Sequence, residues 1–142
     1  MESKKLISPE MIAPCGLDCG LCMMAQAPEK PCPGCRGPEE NKFFYCSQLC
    51  GIMKCAKRRE QGYDFCDECP DYPCEDVMEK ERRYTSDYPL RESPLENLRL
   101  IREKGMEAFI AGERARWSCE KCGGPVSVHT GLCSACGAGK TE

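Results

Sequence analysis

Eleven of the fifteen cysteines crowd into the stretch from Cys15 to Cys74, and no other feature limits the fold of this chain as tightly. They come in short clusters. Cys15, Cys19 and Cys22 form a C-x3-C-x2-C run, and Cys32 and Cys35 a C-x2-C pair. Cys46, Cys50 and Cys55 follow, then a second C-x2-C pair, Cys66 and Cys69, with Cys74 close behind. A C-x2-C turn sets two sulfurs on one side of a tight loop. As thiolates they fill two corners of a tetrahedron around a soft ion. Backbone N–H groups near the second cysteine can point at sulfur and spread its charge. A glycine just past the pair lets the chain leave through positive φ, and Gly37 stands at such a place.

Three chemistries compete for these cysteines. A disulfide scaffold belongs to short secreted chains, but no secretory leader pattern is visible and the cysteine count is odd. Zinc suits the repeated C-x2-C pairs. An iron–sulfur cluster is the alternative, resting on Cys15, Cys19 and Cys22, whose spacing equals the three-cysteine loop of radical S-adenosylmethionine enzymes. The chain is short for the barrel of those enzymes, and no glycine-rich cofactor loop follows. If each zinc takes four thiolates, fifteen cysteines make about three sites with three sulfurs over. The surplus can be buried bystander thiols, part of a shared-sulfur cluster, or an unsaturated three-cysteine site.

Composition argues for metal independently. Leu, Ile, Val and Phe supply 21 of 142 residues, while 30% are charged. A core that thin needs a staple, and a structural zinc site contributes about ten kcal/mol or more. Formal charge is −3, and three four-thiolate zinc sites would take it to about −9, so nothing draws the chain to nucleic acid in general. No apolar run is long enough to span a membrane. The expectation is a soluble cytoplasmic protein, in a reducing compartment that keeps thiols available for metal.

Along the chain, Met1 to Met11 is expected to trail or drape over the core. Asp18 is placed to cap a short helix from Cys19 to about Gln26. Phe43, Phe44 and Tyr45 read as core or a short strand. Ser47 reads as the N-cap of a helix reaching about Glu60, with Lys54, Lys57, Arg58 and Arg59 near its C-terminus, where cations are favoured. A helical pattern runs from about Cys74 to Arg83, then a polar linker from Tyr84 to Ser93. Ser93-Pro94-Leu95-Glu96 is a helix start, with an N-cap, proline at N1 and glutamate at N3. Gly105 divides that helix from a second, Met106 to about Arg116, whose charged residues balance as a solvated face.

The last unit opens with Cys119 and Cys122 and closes with Cys133 and Cys136. Two C-x2-C-G knuckles ten residues apart resemble a zinc ribbon, with Val126 and Val128 alternating as a hairpin strand should and Trp117 packed against it. The four cysteines fill the tetrahedron, which leaves His129, the single histidine, as an exposed strand or turn residue with no nucleophile or carboxylate beside it.

Taken together, Ala13-Pro14-Cys15-Gly16-Leu17-Asp18-Cys19-Gly20-Leu21-Cys22, Cys32-Pro33-Gly34-Cys35 and Cys66-Asp67-Glu68-Cys69-Pro70-Asp71-Tyr72-Pro73-Cys74-Glu75 resemble a family of cysteine-rich bacterial and archaeal proteins of unknown function to which zinc binding is ascribed. The resemblance covers about residues 11 to 122. It implies a prokaryotic cytoplasmic metal binder with these cysteines as candidate ligands, and it implies no reaction.

The expected fold is small, metal-stabilised and mainly α, with irregular loops: zinc knuckles and short helices, then a C-terminal zinc-ribbon β-hairpin. Its expected divisions are a cysteine-rich core over 1–84, a linker and helical connector over 85–116 and a ribbon over 117–142. The expected role is a zinc-binding structural or interaction module for a protein partner, since no catalytic constellation stands out. The alternatives are an iron–sulfur redox or electron-transfer protein using Cys15, Cys19 and Cys22, and a metal carrier or enzyme with an unsaturated three-cysteine site.

Overall fold

A computed structural model describes residues 6–29, 31–42 and 50–140. Among the described residues the fold is carried by α1 (Ala56–Gln61), α2 (Glu75–Ser86), α3 (Pro94–Lys104) and α4 (Met106–Trp117). The described residues of the cysteine-rich half include turns and single 3₁₀ turns, among them Cys19–Leu21 and Cys66–Glu68. Among the described residues no helix is long and apolar enough to cross a membrane.

Three sequence expectations are shortened or lengthened by packing. Asp18 does cap, its Oδ1 accepting from Gly20 N–H at 2.9 Å, but the helix is only the 3₁₀ turn Cys19–Leu21. At Gly20 the backbone runs against the Leu6 carbonyl, where a Cβ would come within 2.4 Å, so only glycine fits there. Helix α1 starts at Ala56, after a run of turns from Gly51 to Lys54; Ser47, Leu49 and the Phe43–Tyr45 triplet lie outside the described residues. Helix α2 starts after Cys74 as expected but continues to Ser86, so Tyr84 belongs to the helix and the linker begins three residues later.

The start of α3 forms as read, with one change. The Ser93 hydroxyl accepts from Glu96 N–H at 3.0 Å and Pro94 occupies N1. The Glu96 carboxylate turns outward to Arg99 instead of back to the cap. Glu81 of α2 takes its place, accepting from the Ser93 hydroxyl at 2.8 Å and from Leu95 N–H at 3.1 Å. The cap of one helix is therefore completed by the side of another. Leu98 on α3 lies against Gly16, where a Cβ would meet its Cγ at 2.8 Å, and Asn97 Nδ2 donates to Gly16 O at 2.9 Å.

Two apolar clusters result. The larger brings together Ile7, Ile12, Leu21, Leu90, Phe109, Ile110, Trp117, Val126 and Val128. Ile7 and Ile12 are fully buried and Arg114 holds Ile7 O at 2.9 Å, so Ile7 anchors the N-terminal segment in the core while Pro9 and Glu10 stay exposed. The smaller cluster is Ala13, Cys15, Cys50, Ile52, Met53 and Val77. Glu113 of α4 is buried, against the expectation of a solvated face.

The C-terminal unit forms no hairpin among the described residues. Its pairing is limited to isolated antiparallel bridges, Ser118 with Pro125, Val126 with Cys133 and Leu132 with Gly139. Each short run pairs once before the next turn takes it away. Pro125 has no N–H to give a ladder, and Val128 spends its N–H on Leu21 O at 2.9 Å instead. Gln26, buried, reinforces this junction: its Nε2 donates to Gly20 O at 2.9 Å and Val126 O at 3.1 Å, while its Oε1 accepts from the Ser134 hydroxyl.

Candidate metal centre

The C-terminal unit contains the same turn twice. Cys119 N–H donates to Gly124 O at 2.8 Å and Cys119 O accepts from Gly123 N–H at 2.8 Å. Fourteen residues on, Cys133 N–H donates to Ala138 O and Cys133 O accepts from Gly137 N–H, both at 2.9 Å. Gly123 and Gly137 leave their turns at φ +75° and +80°, a conformation an L side chain resists.

Facing each other, the two turns bring their sulfurs together. Cys119 Sγ lies 3.7 Å from Cys136 Sγ and Cys122 Sγ 3.5 Å from Cys133 Sγ, and all four sit within 4.8 Å of one another. A tetrahedral ion with sulfur bonds of about 2.3 Å sets its ligands roughly 3.8 Å apart, so this group is spaced to hold one. Gly124 N–H points at Cys122 Sγ from 3.4 Å. The N–H groups of Cys122 and Lys121 lower the Cys119 thiol to about 7, which favours the thiolate a metal needs. There is no space for a side chain at Gly124, where a Cβ would lie 3.1 Å from Cys133 Sγ and 3.2 Å from Cys122 Sγ. Four thiolates leave no open coordination position, the signature of a structural site.

The core cysteines are arranged differently. Among the described residues, the C-terminal four are the one group of three or more possible ligands drawn within 4.8 Å. Cys19 and Cys35 nonetheless meet across the first two clusters, their sulfurs 3.5 Å apart. Cys32 is tied to this loop by its N–H on Met24 O at 2.9 Å. Gly34, inside the pair, takes the positive φ of +92° that was expected of Gly37; Gly37 instead packs on Pro33, where a Cβ would come within 2.5 Å. Cys15 and Cys50 are buried among apolar side chains. Burial pushes the Cys15 thiol up to about 12, against the Leu17 N–H, with Cys66 and Cys50 adding to the rise. Burial likewise pushes Cys66 up to about 12, with Cys74, Cys55 and Cys69 around it. Cys46 lies outside the described residues.

Arg36, directly after the Cys32/Cys35 pair, stitches these loops. It donates to Ile12 O at 2.8 Å and to Asp64 O at 2.6 Å, with its guanidinium over the Phe65 ring. Cys66 N–H reaches Pro14 O at 2.8 Å, and Asp67 pairs with Arg102 of α3 at 2.8 Å. The knuckles are thus fastened to one another and to the helices by backbone carbonyls and by ion pairs, Asp67 with Arg102 of α3 and Asp71 with Lys57 of α1 at 2.7 Å.

Residues 11–79 match DUF3795, a family of proteins of unknown function. The DUF3795 segment contains all the core cysteines from Cys15 to Cys74 and stops short of the four-sulfur group, so the resemblance read to about residue 122 is matched over a shorter span. No curated protein and no solved structure matches the chain.

Two further features escaped the sequence reading. His129 is half-buried rather than exposed, edge-on to the ring of Tyr88 at 4.7 Å. Its Nδ1 accepts from Met23 N–H at 3.3 Å, which assigns the proton to Nε2, 3.2 Å from the Tyr84 hydroxyl. Burial, and then Arg83, lower its pKa and keep it neutral. The second feature is a buried carboxyl group of three, Asp18, Glu92 and Glu113. Burial and the Glu92 charge push Asp18 up to about 7 and Glu113 up to about 11. Tyr84 and Tyr88, four residues apart, were a visible signal for an aromatic wall; nothing local marked Glu113 off from the other acids of α4.

Proposed function

We propose that this chain is a zinc protein in which Cys119, Cys122, Cys133 and Cys136 hold one structural ion, and that its role is to present a surface to a protein partner rather than to catalyse a reaction. The convergence of four sulfurs, paired at 3.5 and 3.7 Å, carries the reading. Zinc fits four thiolates in tetrahedral spacing with backbone N–H groups on sulfur. The ion would fasten a unit that has almost no strand pairing of its own to the larger apolar cluster.

A partner is argued by what the surface offers. Met23 and Leu132 are large exposed apolar side chains, and the net charge of −3 gives no general attraction to nucleic acid. The metal reading is tested by zinc content per chain in wild type and in Cys122→Ser and Cys136→Ser. One zinc fewer in each variant supports it, and unchanged zinc removes it. The partner reading is tested with Leu132→Glu. A protein that copurifies with wild type but not with this folded variant supports it, and turnover of a substrate by the purified chain counts against it.

A further inference from the structure

Cys15, Cys19, Cys22, Cys35 and Cys50 line a single cavity of about 390 Å³, closed on another side by Tyr84, Tyr88 and His129. We propose that this cavity holds an iron–sulfur cluster bound by thiolates drawn from those five cysteines. The proposal goes beyond the structural zinc of the C-terminal unit and does not depend on it.

Size is the first argument. One tetrahedral ion takes four sulfurs and pulls them to within about 4 Å of one another, leaving no space between them. The C-terminal group has that geometry. Here five sulfur-bearing side chains stand around a cavity far larger than an ion fills. Bridging sulfide is the chemistry that lets a few protein thiolates hold several metal ions in such a space. Cys19 and Cys35, with sulfurs 3.5 Å apart, are spaced as two ligands of one iron.

The wall is largely apolar and carries two cations beside the carboxyl groups of Asp18 and Glu92. Ala13, Leu17, Ile52 and Val128 supply apolar wall, which shields a cluster from water. A thiolate-bound cluster carries net negative charge, and Lys80 of α2, only 5% exposed, lines the cavity in addition to pairing with Glu79 at 3.6 Å. Arg83, one turn on, lines it as well. Hydrogen bonds to ligand sulfur are a recognised control on such clusters, and Met24 N–H already points at Cys22 Sγ from 3.4 Å.

The test is anaerobic purification of the full chain from iron-sufficient cells, with iron, acid-labile sulfide and zinc measured per chain and the visible spectrum recorded. Iron and sulfide together, with sulfur-to-iron charge-transfer colour, are expected in wild type. Cys19→Ser and Cys35→Ser should lose iron and sulfide on the order of tenfold or more, while Cys122→Ser keeps both and loses zinc. Colourless wild-type protein containing zinc and no sulfide would overturn the proposal, even if the variants fail to fold. Iron and sulfide that persist in a folded Cys19→Ser/Cys35→Ser double variant would overturn it too. Loss of the C-terminal zinc is read separately, on Cys122→Ser, so either reading can fail without the other.

Discussion

The two cysteine regions reach metal-ligand chemistry by opposite routes. In the C-terminal unit one turn occurs twice, and the two copies close on each other until four sulfurs lie within 4.8 Å. In the DUF3795 segment the sulfurs come from turns of different shape, scattered from Cys15 to Cys50, and apart from Cys19 and Cys35 they stand around a cavity rather than meeting in it. A knuckle is a local object, so its two sulfurs are set by spacing. Which knuckles pair is a matter of long-range packing. Here Arg36, Cys66 N–H on Pro14 O and the docking of α3 on Gly16 decide it.

The contrast can be broken most forcefully by stripping metal. With a strong chelator the whole chain should unfold, because a structural zinc site contributes about ten kcal/mol or more to a core this thin. Loss of helical circular dichroism and exposure of Trp117 fluorescence would report it; retention of both would end the claim that metal replaces an apolar interior. Trp117 itself joins the two regions, fully buried between α4 and the C-terminal unit. Trp117→Ala should cost about 3–5 kcal/mol in denaturant unfolding of the metal-loaded protein, and both regions should melt together.

A pH experiment separates the protein's acids from its thiols. The folded chain holds the Glu113 proton up to about 11, whereas the unfolded chain releases it near the ordinary value of 4.5. The stability this carboxyl contributes is fully present below 4.5 and is lost as pH rises through about 11. Glu113→Gln should therefore flatten the fall between about pH 6 and about pH 8 and raise the unfolding midpoint at the higher value. Thiolate binding of metal strengthens over the same range, so the difference between variant and wild type is the quantity to measure. The smallest effect expected is at the start of α3. Ser93→Ala should cost about 1 kcal/mol and leave zinc at the C-terminal four unchanged. A change in that zinc would mean the two regions are not separable.

Much of this was legible in the residues. The Ser93-Pro94 start of α3, the division at Gly105 and the four-cysteine group all follow from local rules, and all three form. The hairpin did not follow, because alternating Val126 and Val128 are buried by contact with Leu21 and the α4 face rather than by strand pairing. The approach of Leu6 O to Gly20, which leaves no space for a side chain there, comes from a neighbour no periodicity names. The burial of His129, Asp18 and Glu113 depended on which distant segments arrive beside them. None has a signature within a few residues of its own position.

The contacts made by Gln26 and by Val128 N–H carry one more consequence. They run between residues a hundred positions apart in the chain, so the tail is a buttress of the front half rather than an appended module. Protease nicking between Ser86 and Ser93 should leave two fragments that still migrate as one particle, and transplanting the tail alone onto another protein should yield an unstructured peptide.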